Sequence, residues 1–216
     1  MAFTYFFRDG QTLELIAQHV VPDLSRRRYI NIWDAGCAHG PEPYSLAITF
    51  RENMGHFLFR NVKIYATDID ESNHFGEVIA RGVYPDGEVK RIPTELLGRY
   101  FSCAGEPGRL QICEEVRKAV QFYKHDLLSL KAIREGFGLI VCKNVLLHFA
   151  PEQRVEVLRM FHGALAEGGY LVTEQTQKLP AEIGHLFSQV TEAGQVFQKS
   201  NGISSEQTRM KEVQFI

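Results

Sequence analysis

The sequence predicts an α/β protein in which a mostly parallel β-sheet carries helices on both faces. Short runs of β-branched and aromatic residues, typical of buried strands, alternate along the chain with segments in which apolar residues recur at helical spacing. Such alternation is typical of βαβ units, whose strands pair in parallel. The 216 residues, 44% of them hydrophobic, are enough for one such domain with a small appendage.

The individual elements follow from these local patterns. Short apolar runs predict strands at residues 29–33, 62–67, 120–123, 138–142 and 170–173. Periodic apolar residues predict helices at residues 10–20, 41–54, 72–81 and 152–165. Pro41 suits the second helix because the amides of a first helical turn have no intrahelical partner. Gly55 marks the end of the same helix.

Residues 82–118 interrupt the alternation with closely spaced glycines and prolines. Two short runs, 99–103 and 109–113, flank the turn-prone segment 105–108 and predict a β-hairpin. We therefore expect a small antiparallel β-subdomain at 82–118, inserted into a main domain made of residues 1–81 and 119–216.

Composition excludes several classes of function. The net charge of −2 gives no basic excess for nucleic acid. No stretch of about 18 apolar residues predicts a membrane span, and the first residues do not resemble a signal peptide. The four cysteines form no CxxC pair, so neither a metal site nor a disulfide framework is expected, and a reduced, cytoplasmic environment is the simplest interpretation. The four are Cys37, Cys103, Cys113 and Cys142.

The loop at residues 34–40 follows a predicted strand and opens a helix. Its glycines would let the backbone approach a ligand closely, and Asp68, at the end of the next strand, could accept hydrogen bonds from both hydroxyls of a ribose. Ligands of such sheets lie at the carboxyl ends of the strands, near the switch in strand order. The GxGxxG fingerprint is absent, so an NAD-dependent oxidoreductase is disfavoured. By itself, the loop could also be a tight strand-to-helix turn.

Six blocks in order carry a resemblance to a known family. They are FTYFFRDG, WDAGCAHGPEPYSLA, YATDID, FYKHDLL, VCKNVLLHF and GGYLVTEQT. Together they resemble the chemotaxis receptor methyltransferase family, CheR, from Thr4 to about Lys199. Even segment 82–118 falls where that family carries an inserted β-subdomain. The resemblance implies a Rossmann-like class I methyltransferase fold and S-adenosyl-L-methionine as cofactor, with S-adenosyl-L-homocysteine as product.

The resemblance also implies a cofactor site. The residues that match the family's cofactor-binding positions are Thr4, Arg8, Ala35, Gly36, Asp68, Asp126, Leu127, Lys143 and Asn144. Asp126 stands where the family usually has asparagine, and Lys143-Asn144 matches an Arg-Asn pair. Two ordinary alternatives remain open: Arg8 could be a solvated surface charge, and Asp126 could be a helix N-cap.

Three departures from the family pattern affect the expected function. Pro41 replaces the glutamate expected to hold the cofactor's ammonium group, so either Glu42 or the main chain substitutes, or affinity suffers. His148 replaces a tyrosine expected near the methyl acceptor. The family's helical N-terminal domain, which helps to dock receptors, has no counterpart ahead of Thr4.

The resemblance therefore implies a protein-glutamate O-methyltransferase that acts on a chemoreceptor-like signalling protein. A glutamate acceptor is ionised at pH 7 and needs no general base, and Arg8 is the candidate for orienting it. Two alternatives stay open. With His148 as general base, the acceptor could be a small molecule or another protein, although His148 could equally fill space. The chain could also be an inactive cofactor-binding module.

Overall fold

The computed structural model describes residues 4–176 and 178–200. In chain order the strands are β1 Ile30–Ala35, β2 Val62–Asp68, β3 Val83–Pro85, β4 Phe101–Cys103, β5 Arg109–Ile112, β6 Val120–Lys124, β7 Phe137–Cys142, β8 Leu165–Thr173, β9 Phe187–Gln189 and β10 Val196–Lys199. The α-helices are α1 Gly10–Leu15, α2 Val21–Leu24, α3 Pro41–Phe59, α4 Phe75–Arg81, α5 Asp86–Val89, α6 Thr94–Tyr100, α7 Glu114–Ala119, α8 Pro151–Ala164 and α9 Ala181–Gly184.

Seven of these strands form one sheet in the order β6-β2-β1-β7-β8-β10-β9. Strands β6, β2, β1, β7 and β8 pair in parallel, whereas β10 runs antiparallel to both of its neighbours. The strand order reverses between β1 and β7, so this is the switch point at which a ligand crevice opens in an α/β sheet. The predicted fold class is confirmed.

Each face of the sheet has its own apolar core. On one face, Ile30 and Ile32 of β1 pack with residues of α3 and of the helical segment that starts at Gly10. On the other face, Trp33 packs with Phe161 of α8. Successive strand residues point to opposite faces, so β1 can be apolar on both sides and bury them both under helices.

Several helix boundaries differ from the predicted ones. The first helix continues beyond residue 20 through a π-helical turn, Ile16–Val20, into α2. Gly55 leaves the helical region (φ 76°, ψ 170°), which confirms the predicted end there, although helical turns resume to Phe59. The predicted start of α4 at Ser72 is wrong. The carboxylate of Asp70 accepts hydrogen bonds from the amides of His74 and Phe75 and holds residues 70–75 in a turn.

The sheet is also larger than predicted. Strand β8 begins at Leu165 rather than at Tyr170. Strands β9 and β10 were not predicted, because each is only three or four residues long and carries little periodic signal. Residues 201–216, whose sequence leaves both a final strand and a loose tail open, lie outside the described residues.

Residues 82–118 contain a second sheet with the strand order β3-β5-β4, antiparallel throughout. The pairing of β4 with β5 confirms the predicted hairpin, while residues 99–100 belong to α6 instead. Phe6, from the N-terminal segment, packs edge-on against Tyr84 and Phe101 of this sheet. The N-terminal segment thus packs against the small sheet.

Candidate active site

The loop after β1 curls over the end of β2. The amides of Gly36 and Cys37 both donate to the carbonyl oxygen of Thr67, at 2.7 and 3.0 Å. Gly36 has φ +100°, and a Cβ atom there would lie 2.1 Å from Cγ2 of Val145. Only glycine therefore allows the loop to pack so closely against the segment that follows β7.

Asp68 is held at the end of β2 by the same loop. Its Oδ2 accepts a hydrogen bond from the amide of Ala38 at 3.0 Å, and its Oδ1 accepts one from the amide of Asp70 at 3.1 Å. A carboxylate has about four lone-pair positions, so each oxygen keeps acceptor capacity in a fixed direction. This geometry suits recognition of a pair of neighbouring hydroxyls.

A cavity of about 200 Å³ brings four of the predicted residues together: Gly36, Asp68, Asp126 and Leu127. They come from the ends of three neighbouring strands, β1, β2 and β6. Apolar side chains complete the walls, including Ile69 and Leu128, which are 51% and 41% exposed. Exposed apolar groups at the mouth of a cavity are typical of a ligand site. Their apolar faces fit a flat aromatic base.

Asp126 also performs the ordinary role left open above. It is the N-cap of a 3-10 turn, Leu127–Ser129, and its Oδ1 accepts a hydrogen bond from the amide of Leu128 at 2.8 Å. The cap fixes the carboxylate without using Oδ2. Beside it, burial lowers the pKa of His125 although Asp126 raises it, so His125 is neutral at pH 7.

Lys143, at the end of β7, is the cationic centre of a buried cluster. Its side chain is 2% exposed, and its Nζ lies 3.4 Å from Oε2 of Glu42 and 3.4 Å from Oδ2 of Asp9. Burial lowers the pKa of Lys143, but Glu42, Asp9 and Asp34 raise it by more. The ammonium group therefore stays charged and joins β7, α3 and the N-terminal segment.

Asp34 is the fourth titratable residue of this cluster and lies near Glu42 and Lys143. The residue is 0% exposed, and among the described residues neither carboxyl oxygen meets a hydrogen-bond donor. Burial, and then the neighbouring Glu42 carboxylate, raise the pKa of Asp34 well above its usual range, whereas Lys143 lowers it. Because a buried carboxyl group beside a second carboxyl group resists ionisation, Asp34 keeps its proton to a higher pH than an ordinary aspartate.

The N-terminal segment is tied down on both sides of Arg8. The amide of Phe7 donates to Oγ of Ser45 at 2.9 Å, and Asp9 contacts Lys143. Arg8 is half-buried, with its guanidinium 6.0 Å from the ring centroid of Tyr5. Its two chain neighbours therefore contact α3 and Lys143. Thr4 is half-buried and does not line the 200 Å³ cavity.

The remaining predicted residues differ in their position. Ala35 is buried at the end of β1. Asn144 adopts a left-handed conformation (φ 59°), and its amide donates to Oε2 of Glu174 at 3.3 Å. His148 ends a 3-10 turn, is exposed and does not line the cavity, unlike its neighbour Phe149. The structure therefore does not bring His148 together with Gly36 and Asp68.

A larger cavity of about 760 Å³ adjoins the first one. It opens between α4 and the small β-sheet, and Asp68 and Ile69 line both cavities. In this cavity Nε2 of His39 lies 3.1 Å from Oε2 of Glu88. The interaction links the loop after β1 to the inserted segment.

Sequence reasoning missed the roles of Asp9 and Asp34. Asp34 carries a recognisable signal, since it follows Ile30 and Ile32 at alternate positions of a strand and thus places a carboxyl group on a buried face. Asp9 carries none, because its partner Lys143 is 134 residues away.

No three His, Cys, Asp or Glu side chains lie close enough together to bind a metal ion in residues 4–176 and 178–200. In the same ranges, no helix combines the length and the apolar character needed to cross a membrane. All four cysteines have free thiols.

Comparison with known proteins gives the family. A family model described as "CheR methyltransferase, SAM binding domain" matches residues 2–195. "Chemotaxis protein methyltransferase 1" of Pseudomonas aeruginosa is 34% identical over 184 residues, covering 82% of this chain and 66% of that protein. "Probable chemotaxis protein methyltransferase" of Rhizobium etli is 28% identical over 194 residues, covering 87% of this chain and 72% of that protein. The chain thus spans about two thirds of the length of these curated relatives.

A solved structure of magnesium protoporphyrin IX methyltransferase from Synechocystis PCC 6803 with bound SAM aligns at a TM-score of 0.47 and 18% identity. The alignment covers 88% of this chain and 79% of that chain. The family match extends over nearly the whole chain and includes every strand end that forms the site, so the chain belongs to the CheR methyltransferase family and carries its S-adenosylmethionine-binding domain.

Proposed function

We propose that this protein transfers a methyl group from S-adenosylmethionine to glutamate side chains of a chemoreceptor-like signalling protein. The observation that carries the proposal is the convergence of Gly36, Asp68, Asp126 and Leu127 on one cavity at the switch point of the sheet. The relatives named as chemotaxis protein methyltransferases support the acceptor class.

The residues present fit the cofactor. The apolar walls of the 200 Å³ cavity suit adenine, with the N-cap residue Asp126 and its neighbour Leu127 at its edge. Asp68 suits the ribose hydroxyls, because two backbone amides already hold its carboxylate in place. Gly36 and Ala35 let the chain pass close to the methionine part.

The Asp34–Glu42 pair replaces the glutamate that is missing at Pro41. The cofactor's ammonium group would face Glu42, with Asp34 behind it, and would bring a positive charge close to Asp34, whose oxygens meet no donor among the described residues. We assign Lys143, whose Nζ lies 3.4 Å from Oε2 of Glu42, and its chain neighbour Asn144 to the carboxylate end of the methionine part. Lys143 thus balances the acidic cluster before and after the cofactor binds.

Bound S-adenosylmethionine supplies an electrophilic methyl group on a positively charged sulfur. A glutamate acceptor is ionised at pH 7 because its reference pKa is about 4.3, so the protein needs no residue to remove a proton from it. The protein's contribution is to align the acceptor with the methyl group and to exclude water. Arg8, held between two anchored neighbours, is the residue that we assign to orient the acceptor carboxylate.

An exposed His148 outside the cavity gives no support to a general base, and the relatives favour a protein acceptor over a small molecule.

We take residues 82–118 as an inserted subdomain within the main domain of residues 1–81 and 119–216, because residues 82–118 form their own sheet. A cytoplasmic location is also proposed, on the ground that all four thiols are free.

A transfer assay tests the proposal. The purified chain is incubated with S-adenosylmethionine carrying a tritiated methyl group and with the cytoplasmic domain of a chemoreceptor, and base-labile methyl esters are counted. Label is expected on the receptor domain but not on a variant in which glutamine replaces the acceptor glutamates. If the chain binds S-adenosylhomocysteine in calorimetry but labels no receptor domain, the acceptor assignment is wrong while the cofactor site stands.

A further inference from the structure

His39, in the loop after β1, is held twice by the inserted segment 82–118. The hydroxyl of Tyr84, on β3, donates to the carbonyl oxygen of His39 at 2.9 Å. Oε2 of Glu88, on α5, lies 3.1 Å from Nε2 of the His39 ring. The inserted segment therefore contacts both the main chain and the side chain of one loop residue.

The Tyr84 side chain is itself held firmly in place. It is 1% exposed, and its ring packs edge-on against Phe6 and against Tyr44 of α3, with ring centroids 4.9 and 6.1 Å apart. Burial raises the pKa of Tyr84 well above its ordinary value, so the hydroxyl keeps its proton and remains a donor. A Cβ atom on Gly40 would lie 2.4 Å from this hydroxyl oxygen. Only glycine therefore lets the loop pass so close to it.

The residue that precedes His39 has an unfavourable backbone conformation. Ala38 has φ +49°, in the left-handed region that a residue with a Cβ atom adopts only at a cost. In this conformation its amide donates to Oδ2 of Asp68 at 3.0 Å. Such a conformation persists only where the surrounding structure holds it in place. The two contacts at His39 are adjacent in the chain and provide that support.

We propose that Tyr84 and Glu88 are positioning residues for the cofactor. By holding His39, they keep Ala38 in the conformation in which its amide orients Asp68 towards the ribose hydroxyls. Neither of the two side chains lines the 200 Å³ cavity, so their effect on the cofactor passes through the loop. The inference rests on the cofactor site proposed above and gives the inserted segment a part in cofactor affinity.

The affinity for S-adenosylhomocysteine tests the role of Tyr84. Tyr84→Phe removes only the hydroxyl and leaves a ring that can still pack against Phe6, so the loop loses one anchor while the small sheet keeps its packing. In calorimetry, this variant should bind S-adenosylhomocysteine about five- to tenfold more weakly than the wild type, because a buried hydrogen bond that holds the loop is lost.

Tyr100→Phe is the matched control. Tyr100 also belongs to the inserted segment and is 3% exposed, and its hydroxyl donates to Oε1 of Glu52 at 2.5 Å, about three turns along α3 from the loop. Each variant loses one hydroxyl hydrogen bond, so both should unfold at lower urea concentrations than the wild type. Only Tyr84→Phe should lose affinity. An equal loss of affinity in both variants would overturn the proposal, because it would reflect general destabilisation.

Glu88→Ala tests the second contact. This variant should bind S-adenosylhomocysteine about two- to threefold more weakly, a smaller loss than for Tyr84→Phe, because the His39 and Glu88 side chains are 25% and 39% exposed. Glu95 is an exposed carboxylate of the same segment and serves as the control, so Glu95→Ala should bind as the wild type does. Equal affinities of Glu88→Ala and Glu95→Ala would remove Glu88 from the proposal.

A double variant tests whether the effect passes through Asp68. If the Tyr84 hydroxyl acts by way of that carboxylate, Tyr84→Phe should change the affinity less than about twofold in an Asp68→Ala protein. Wild-type affinity of Tyr84→Phe, or its full effect in both backgrounds, would overturn the inference and leave the cofactor site intact. Failure of the wild-type protein to bind S-adenosylhomocysteine would instead overturn the proposed function together with the inference.

Discussion

The Nζ atom of Lys143 lies 3.4 Å from Oε2 of Glu42 and connects the end of β7 to the first turn of α3 across the point where the strand order reverses. Because the Lys143 side chain is only 2% exposed, its charge depends on the surrounding carboxylates. The cluster of Asp9, Asp34, Glu42 and Lys143 therefore contributes both to folding and to the binding of a charged ligand.

Replacing Lys143 with methionine should destabilise the protein by about 3 kcal/mol, because breaking a buried ion pair leaves uncompensated charge. The free energy of unfolding in urea measures this. Lys118→Met is the matched control: Lys118 pairs with Glu114, but its side chain is 75% exposed, so the loss should stay below about 1 kcal/mol. Equal losses for the two variants would contradict a buried role for Lys143.

Replacing Asp34 with asparagine should stabilise the cofactor-free protein at pH 7 by at least about 1 kcal/mol. The pKa of Asp34 is higher in the folded protein than in the unfolded chain. The native state therefore holds the extra proton, and wild-type stability falls as the pH rises from about 4 towards the folded pKa. The variant lacks this dependence. Glu95 is an exposed carboxylate on α6 and serves as the control. In urea titrations at several pH values, Glu95→Gln should change neither the free energy of unfolding nor its dependence on pH.

The raised pKa of Asp34 also predicts proton release. When the ammonium group of S-adenosylhomocysteine binds beside Asp34 and Glu42, its positive charge favours full ionisation, so up to about one proton should leave. Calorimetry in buffers of different ionisation enthalpy counts it. Asp34→Asn should bind the ligand more weakly and release no proton. An unchanged proton count in this variant would place the ammonium group elsewhere.

Asp68 and Asp126 should differ in their importance for cofactor affinity. Asp68→Ala removes the acceptor assigned to the ribose hydroxyls and should weaken S-adenosylhomocysteine binding by about 10- to 100-fold. Asp126→Asn should change affinity less than about threefold, because an amide oxygen can still accept the hydrogen bond from Leu128. The resemblance also places asparagine at this position in most of the family. A larger loss for Asp126→Asn than for Asp68→Ala would reverse the assignment.

Asp70 should matter for stability. Burial raises its pKa, but hydrogen bonds from His74, Ser72 and Phe75 outweigh this and lower it. The stabilising contribution of Asp70 is therefore present above the pKa of about 3.9 that aspartate has in the unfolded chain. It is lost as the pH falls through the lower pKa of Asp70 in the folded protein. Asp70→Ala should cost about 1–2 kcal/mol at pH 7, whereas the exposed neighbour Glu71 should tolerate glutamine. The difference between Asp70→Ala and wild type should shrink below pH 4 in urea titrations.

Variants of Arg8 and His148 test the two chemical roles that the sequence suggests: orientation of the acceptor by Arg8 and proton removal by His148. Arg8→Ala should lower kcat by about 100-fold or more while the protein stays folded, because the acceptor loses its orienting charge. His148→Phe should leave methyl transfer unchanged between about pH 5 and 8, the range in which histidine titrates. Initial rates with tritiated cofactor measure both. Near-normal turnover of folded Arg8→Ala would remove its assigned role, and a lost pH dependence in His148→Phe would restore the general base.

Local patterns predicted most of the main domain, since β1, β2, β6 and β7 are apolar on alternate or successive positions and each is followed by a polar loop. These patterns failed where tertiary contacts decide where a helix begins or whether a short strand forms. The amides of His74 and Phe75 donate to Asp70, and α4 therefore starts three residues late. Strand β10 pairs with β8 through three residue pairs, a contact that no local periodicity encodes.

By itself, the sequence determined the fold class and the family resemblance, and it placed the loop at residues 34–40 and Asp68 at the ends of two strands, because these depend on residue type and on short-range spacing. Only the tertiary structure decided that Asp34 lies beside Glu42, that Asp9 reaches Lys143, and that His148 does not line the 200 Å³ cavity. The physical reason is that burial and long-range proximity set the energy of a charge. Both depend on how distant segments pack, whereas spacing along the chain fixes only which strand end or helix turn carries each group.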